Sequence, residues 1–175
     1  TSEDMTLYTK YDFIPGDKVI FYDDLSGEEM GEFPSRWGLD HGVFEIAKLR
    51  GKNWILCTNR GVILPKIPPG PLPEKYTVEL EFNVNAEKDG WYYINWLNAE
   101  GHTIGRLSLG YDYKTSLRMM DQGLADREVK KLAPGTHVFR IMATKSTMKC
   151  YVDQERVANV PKIDGFAPVK LTVEL

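Results

Sequence analysis

Cysteine is scarce in this chain, which has Cys57 and Cys150 and no other among its 175 residues. Two cysteines are too few for the disulfide framework of a small secreted domain, and they lack the spacing of a metal site. Both lie in apolar stretches with the pattern of strands, where an unpaired thiol behaves as a small hydrophobic side chain. We therefore predict two unpaired thiols, with a Cys57–Cys150 disulfide as the alternative.

Long apolar runs and clusters of basic residues are also missing. No stretch approaches the roughly 20 apolar residues that a membrane-spanning helix requires. The 22 Lys and Arg residues are scattered along the chain and are outnumbered by 25 Asp and Glu, which gives a net charge of -3. Such a chain offers no positive field to a phosphate backbone. We predict no membrane-spanning segment in these residues and no nucleic acid partner.

What the sequence does contain is apolar residues at every second position. In the segment 76–84 every even-numbered residue is apolar or aromatic and every odd-numbered one is polar, which is the pattern of a half-buried strand. The same period of two recurs in three later segments, 139–143, 148–152 and 169–175. Three shorter apolar runs predict further strands: Lys18–Tyr22, Val43–Lys48 and Asn53–Cys57.

Turn-forming residues separate these segments and set the fold class. About a dozen short strands in a chain of this length are typical of an all-β protein, a two-sheet antiparallel β-sandwich of the jelly-roll type. Leu117–Leu132 has a helical alternative, but Gly123 in its middle favours a hairpin. The proline-rich segment 65–73 predicts an extended loop that crosses between the sheets. We expect residues 1–175 to form one domain.

Two groups of residues resemble a known fold family. Phe21–Ser26 followed by Gly31–Trp37 resembles the entry segment of concanavalin A-like, or laminin-G-like, jelly-roll domains. Cys150–Val157 resembles the late hairpin of the same domains, with Gln154 where those domains usually have glycine. More narrowly, the chain is similar to the sandwich region of bacterial OmpA-family envelope proteins. That resemblance implies an envelope role and carries no catalytic residues over to this chain.

The ends of the chain add expectations about its context. The sequence begins at Thr1 with a short polar stretch, which favours removal of an export signal, and it ends on an alternating strand pattern. We expect an exported protein, located in the periplasm, at the outer membrane or at the cell surface. We also expect the natural chain to continue beyond Leu175.

The segment Trp91–Asn98 carries aromatic residues on both faces of a predicted strand. Flat sugar rings stack on Trp and Tyr, and amide or guanidinium groups bind their hydroxyls, so this segment predicts a glycan-binding surface on the concave sheet. The alternative is that these aromatics fill the core of a large sandwich. The candidate ligand-binding residues are Trp91, Tyr93, Asn95, Arg106, Tyr111 and Tyr113.

Carboxylates suggest two further sites. Glu79 and Glu81 lie two apart on one strand face, as paired carboxylates do in sandwich glycosidases, but Asn83 stands where a third acidic residue is needed. Polar alternation on an open strand face explains the pair without function. Asp23 and Asp24 could provide oxygen ligands for calcium, or they could serve as turn and cap residues.

Histidine offers no metal site, since His41, His102 and His137 are isolated in the sequence. His137 alternates with Phe139 and Ile141, which predicts a hydrogen-bonded histidine at or near the core.

Three function hypotheses follow. The first is a non-catalytic, cell-envelope domain that binds a carbohydrate through its concave sheet, and it requires Trp91 and Tyr93 to lie in an exposed groove. The second is a structural or protein-interaction domain of an outer-membrane-associated OmpA-like protein, with an envelope protein as partner. The third is a glycoside hydrolase, which requires two carboxyl groups about 5 to 9.5 Å apart in one cleft. We expect no enzymatic activity and no required cofactor.

Overall fold

The computed structural model describes residues 11–84, 90–110, 114–120, 122–128 and 133–175, with side chains left undescribed in 124–128. Within these ranges the chain forms strands and no helix. The strands are Trp37–His41 (β1), Phe44–Leu49 (β2), Lys52–Cys57 (β3), Val62–Pro65 (β4), Lys75–Val84 (β5), Tyr92–Leu97 (β6), Thr103–Leu109 (β7), Lys114–Met119 (β8), Gln122–Glu128 (β9), Gly135–Thr144 (β10), Met148–Val152 (β11), Glu155–Val160 (β12) and Lys170–Glu174 (β13).

The strands form two main sheets and a separate hairpin. The larger sheet has seven strands in the order β1-β4-β13-β6-β7-β8-β9, and the smaller has four in the order β12-β11-β10-β5. Strands β2 and β3 pair with each other alone. Every pairing is antiparallel. The predicted all-β, two-sheet sandwich is therefore confirmed.

The main core lies between the two sheets because alternate residues of each strand point inward. On the smaller sheet, β10 buries Phe139 and Ile141, which are 1% and 0% exposed. On the larger sheet, β6 buries Ile94 and Trp96. The indole Nε1 of Trp96 donates a hydrogen bond of 2.9 Å to the hydroxyl of Tyr76 on β5, so the polar atom of this buried ring has a partner from the opposite sheet.

A second, smaller cluster holds the β2–β3 hairpin against the larger sheet. Its buried residues are Trp37, Phe44 and Ile63, from β1, β2 and β4. Half-buried side chains of β3, among them Ile55, pack against this cluster. The hairpin is thus held by side-chain packing and not by strand pairing with either main sheet.

Most local predictions are confirmed, and one is wrong. Leu117–Leu132 contains the β8–β9 hairpin up to residue 128, and the described segment 66–73 contains no strand. Lys18–Tyr22 does not form a strand, and Val19 in this run is 73% exposed, so the short apolar run does not form a strand face packed on the core. The late hairpin turns at Asp153, whose φ of 51° lies in the left-handed region that an aspartate tolerates.

The two cysteines are free thiols, as predicted. Cys150 is fully buried in the main core, whereas Cys57 is partly exposed and its Sγ lies 2.8 Å from the carbonyl oxygen of Asn59. Burial raises the pKa of both thiols. Across the described ranges, no helix has the length and apolar character needed to cross a membrane.

Candidate functional site

The candidate site lies on the outer face of the seven-stranded sheet, opposite the core. Because Ile94 and Trp96 point inward, Tyr93 and Asn95 point outward from β6. The β6–β7 register places Arg106 opposite Asn95. The β6–β13 register places the remaining two neighbours, Thr172 opposite Asn95 and Glu174 opposite Tyr93.

Two aromatic rings and a guanidinium form a row on this face. The rings of Trp91 and Tyr93 are parallel within 5°, with centroids 6.0 Å apart. The Arg106 guanidinium carbon lies 4.5 Å from the centroid of Tyr93. Trp91 precedes Tyr93 by two residues, whereas Arg106 stands at the level of Asn95, so they approach Tyr93 from opposite directions along the strand. Tyr93 therefore lies between Trp91 and Arg106 and supports both side chains. The accessible ring is that of Trp91, which is 40% exposed.

Hydrogen bonds fix the polar half of the site. Arg106 Nε donates to Asn95 Oδ1 at 2.8 Å, and Arg106 Nη2 donates to Glu174 Oε2 at 2.8 Å. Asn95 Nδ2 donates to Glu174 Oε2 at 3.0 Å and to Thr172 Oγ1 at 3.2 Å. Asn95 is only 3% exposed, and these bonds satisfy its buried amide. We call Trp91, Tyr93, Asn95, Arg106 and Glu174 the platform.

The platform contains four of the six residues predicted from sequence. Tyr111 and Tyr113 lie outside the described residues. Glu174 and Thr172 were not predicted, because their strand pairs with β6 across about eighty residues of chain. The one available signal was the alternation of 169–175, which predicts a strand and leaves its neighbour undetermined.

Asp23 and Asp24 serve as turn residues. Asp23 Oδ1 accepts the backbone N–H of Leu25 at 2.9 Å, and Asp23 Oδ2 accepts the indole N–H of Trp37 at 2.9 Å. Asp24 Oδ1 accepts the N–H of Ser26 at 3.0 Å. Among the residues that the structure describes, no group of three or more His, Cys, Asp or Glu side chains could hold a metal ion. This arrangement favours the turn interpretation, and calcium enters no part of the proposed function.

Glu79 and Glu81 lie on the other side of the molecule. Their neighbour Phe82 is buried in the core, so these carboxylates point outward from the smaller sheet. Glu79 Oε1 accepts a hydrogen bond of 3.0 Å from Arg140 Nε, and Glu81 forms an ion pair with Lys52. Each carboxylate is paired with a cation, which favours a solvated strand face over a hydrolytic pair.

The known proteins that this chain is similar to are solved structures with the same type of fold. No protein-family profile matches the sequence, and no curated protein matches it. A carbohydrate-binding module, CBM66 from Bacillus subtilis, has a TM-score of 0.56 at 12% identity over 80% of this chain and 87% of that chain. The carbohydrate recognition domain of Emp47p has a TM-score of 0.53 at 13% identity over 86% and 83% of the two chains.

A third similar structure is a chain reported with endo-acting O-glycanases of the human gut microbiota. Its TM-score is 0.54 at 11% identity, over 90% of this chain and 85% of that chain. At such identities the similarity concerns the fold alone, and the predicted relationship to OmpA-family proteins stays a prediction. The chain thus has a β-sandwich fold like that of this carbohydrate-binding module and this carbohydrate recognition domain.

Proposed function

We propose that this chain is a non-catalytic domain that binds a glycan on the outer face of its seven-stranded sheet. The observation that carries the proposal is a row in which Tyr93 lies between the exposed ring of Trp91 and the hydrogen-bonded Arg106–Glu174 pair. A sugar ring presents a flat C–H face that packs on an indole, while its hydroxyls need charged or amide partners. The platform offers both kinds of group within one row.

The side chains of the platform are held by mutual contacts before any ligand binds. Tyr93 is held between Trp91 and Arg106, and Arg106 is held by Asn95 and Glu174. Groups already fixed in place lose little conformational entropy on binding, which favours affinity for a ligand of matching shape. All platform residues except Trp91 lie on strands, which makes their positions more precise than loop residues would be.

The similar folds support the same function. A carbohydrate-binding module and a carbohydrate recognition domain are among them, by the names those structures carry. The resemblance of Phe21–Ser26 and Gly31–Trp37 to envelope domains supports an exported location at the cell envelope as part of this proposal. The alternative is that the partner is an envelope protein, and the experiment below distinguishes this from glycan binding.

The test is direct binding to a glycan array, followed by calorimetry with the glycan that the array identifies. We expect Trp91→Ala to weaken binding about tenfold or more, because the stacking surface is lost. Tyr22→Ala is the matched control. Tyr22 is 64% exposed and is contacted by Arg36 at its backbone oxygen, which the substitution keeps.

Wild-type affinity in Trp91→Ala would show that the glycan binds elsewhere. If the protein binds none of the neutral and charged glycans, the result would contradict glycan binding and favour the protein-interaction alternative.

A further inference from the structure

The ion pair between Arg106 and Glu174 bears on which class of sugar the proposed site would bind. Glu174 uses Oε2 for both of its hydrogen bonds, to Asn95 and to Arg106. Arg106 uses Nε and Nη2. Within the described part of the chain, Glu174 Oε1 accepts no hydrogen bond and Arg106 Nη1 donates none. Both side chains reach solvent, with exposures of 40% for Arg106 and 30% for Glu174.

The paired side chains therefore keep one acceptor, Glu174 Oε1, and one donor, Arg106 Nη1, that no described residue occupies, and both side chains reach solvent. Glu174 Oε1 can accept only, and Arg106 Nη1 can donate only. Two neighbouring hydroxyls of a sugar complement this pair, because one can donate to the carboxylate while the other accepts from the guanidinium. Hydrogen bonds of this kind involve a charged partner and are about twice as strong as neutral ones.

Charge at the pair favours a neutral ligand. The carboxylate of Glu174 neutralises the guanidinium of Arg106 at an Nη2–Oε2 distance of 2.8 Å. A sugar carboxylate or sulfate that approached Arg106 would meet the like charge of Glu174 at close range.

Arg118, on the same face, is the residue that could instead favour an anionic ligand. It lies opposite Arg106 in the β7–β8 register and is exposed. Among the described residues no hydrogen bond or ion pair holds its side chain, so an anion bound there would have to order a long side chain at an entropic cost. The fixed pair is the stronger determinant.

We propose that Arg106 and Glu174 select neutral glycans that carry free vicinal hydroxyls, beside the sugar ring that packs on Trp91. This inference rests on the proposed glycan-binding function. It names the class of ligand, which the fold alone does not determine.

The first test uses the wild-type protein and two sets of immobilised glycans. One set contains neutral, uronic, sialylated and sulfated glycans, and the second is the same set after periodate oxidation and borohydride reduction. Periodate cleaves the carbon–carbon bond between vicinal hydroxyls and so removes the proposed recognition element. We expect binding to neutral glycans in the first set and a loss of at least tenfold after oxidation.

The second test uses Glu174→Gln, which keeps the shape of the side chain and removes its charge. We expect about tenfold weaker binding of the neutral glycan, together with a relative gain for uronic and sialylated glycans because Arg106 is no longer neutralised. Glu79→Gln is the matched control, since Glu79 forms the same type of pair with Arg140 on the opposite sheet. Thermal unfolding of both variants checks that each is folded.

The outcomes separate this inference from the function on which it rests. A wild-type preference for acidic glycans, or binding that survives periodate, overturns the selection by Arg106 and Glu174 and leaves glycan binding intact. Failure to bind any glycan overturns both.

Discussion

At the residue scale, the ring of His137 lies next to a hydrogen-bond acceptor at each of its two nitrogens. Its Nε2 lies 2.6 Å from the carbonyl oxygen of Ala133, and its Nδ1 lies 2.7 Å from Asp153 Oδ2. Both partners are acceptors, so the ring satisfies both as an imidazolium that donates twice. Burial of the ring lowers its pKa, but the hydrogen bond to Ala133 and the hydrogen bond and charge of Asp153 outweigh this, so the pKa of His137 is raised above 6.5.

A pH dependence of stability follows from this raised pKa. The contribution of His137 to the free energy of unfolding is fully present below pH 6.5 and is lost as the pH rises through the folded-state pKa. We expect His137→Gln to destabilise the protein by about 1–3 kcal/mol at pH 5.5 and by less at pH 8.5. Urea unfolding of wild type and variant at the two pH values measures this. An equal difference at both values would contradict it.

At the element scale, the segment 11–13 acts as a strap over the outer face of the smaller sheet. The rings of Tyr11 and Phe13 pack edge-on against Tyr151 of β11, at centroid distances of 5.6 and 5.7 Å. Between them, Asp12 Oδ2 lies 2.6 Å from Lys149 Nζ, and Asp12 Oδ1 accepts a hydrogen bond from the Tyr151 hydroxyl. Tyr151 is 0% exposed although it points away from the main core, because the strap covers it.

The carboxylate of Asp12 makes this strap sensitive to acid. Hydrogen bonds from Lys149 and Tyr151, with the charges of Lys149 and Arg156, hold the pKa of Asp12 well below its usual range. A lowered folded-state pKa gives stability that is present above about pH 4 and lost as the pH falls further. We expect Asp12→Asn to cost about 1–3 kcal/mol at pH 7, measured by urea unfolding.

Asp17→Asn is the control for the strap, since Asp17 is an exposed carboxylate a few residues after the strap and forms no ion pair or side-chain hydrogen bond with the described residues of β11 or β12. An equal loss of stability in the two variants would show that the effect comes from net charge and not from the strap. A loss confined to Asp12→Asn identifies the contact with β11.

At the scale of the whole molecule, the two hydrophobic clusters differ in size and in burial. The main cluster contains side chains that are 0–2% exposed, among them Trp96, Ile141 and Cys150. The cluster under the β2–β3 hairpin has three buried residues, and the hairpin leaves Leu49 and Leu56 each 45% exposed. Among the described strands, the hairpin pairs with none of either main sheet. Its local stability should therefore be lower than that of the sandwich.

Native-state hydrogen exchange followed by mass spectrometry tests this difference. We expect peptides covering 44–57 to exchange by local opening, faster than peptides covering 137–152, which lie on the two central strands of the smaller sheet. Equal protection of both regions would show that the hairpin and the sandwich unfold as one unit.

Several features of the site could be predicted because they depend on neighbours in sequence. The alternation in β6 correctly separates Tyr93 and Asn95 from the core residues Ile94 and Trp96. The strand predicted at Lys18–Tyr22 is wrong, because a short apolar run does not indicate whether the segment pairs with a neighbouring strand. The role of Tyr93 was not predicted, because a tyrosine that supports neighbouring side chains and a tyrosine that contacts a ligand have the same sequence pattern.

The sequence by itself determined the class of the fold and the alternation that separates Tyr93 and Asn95 from Ile94 and Trp96. These follow from a period of two and from turn residues, which act over a few positions. Only the tertiary structure decided that Glu174 completes the site. The pairing of β13 with β6 depends on the packing of the whole sandwich, which selects strand neighbours by burial of apolar surface and not by proximity in the chain.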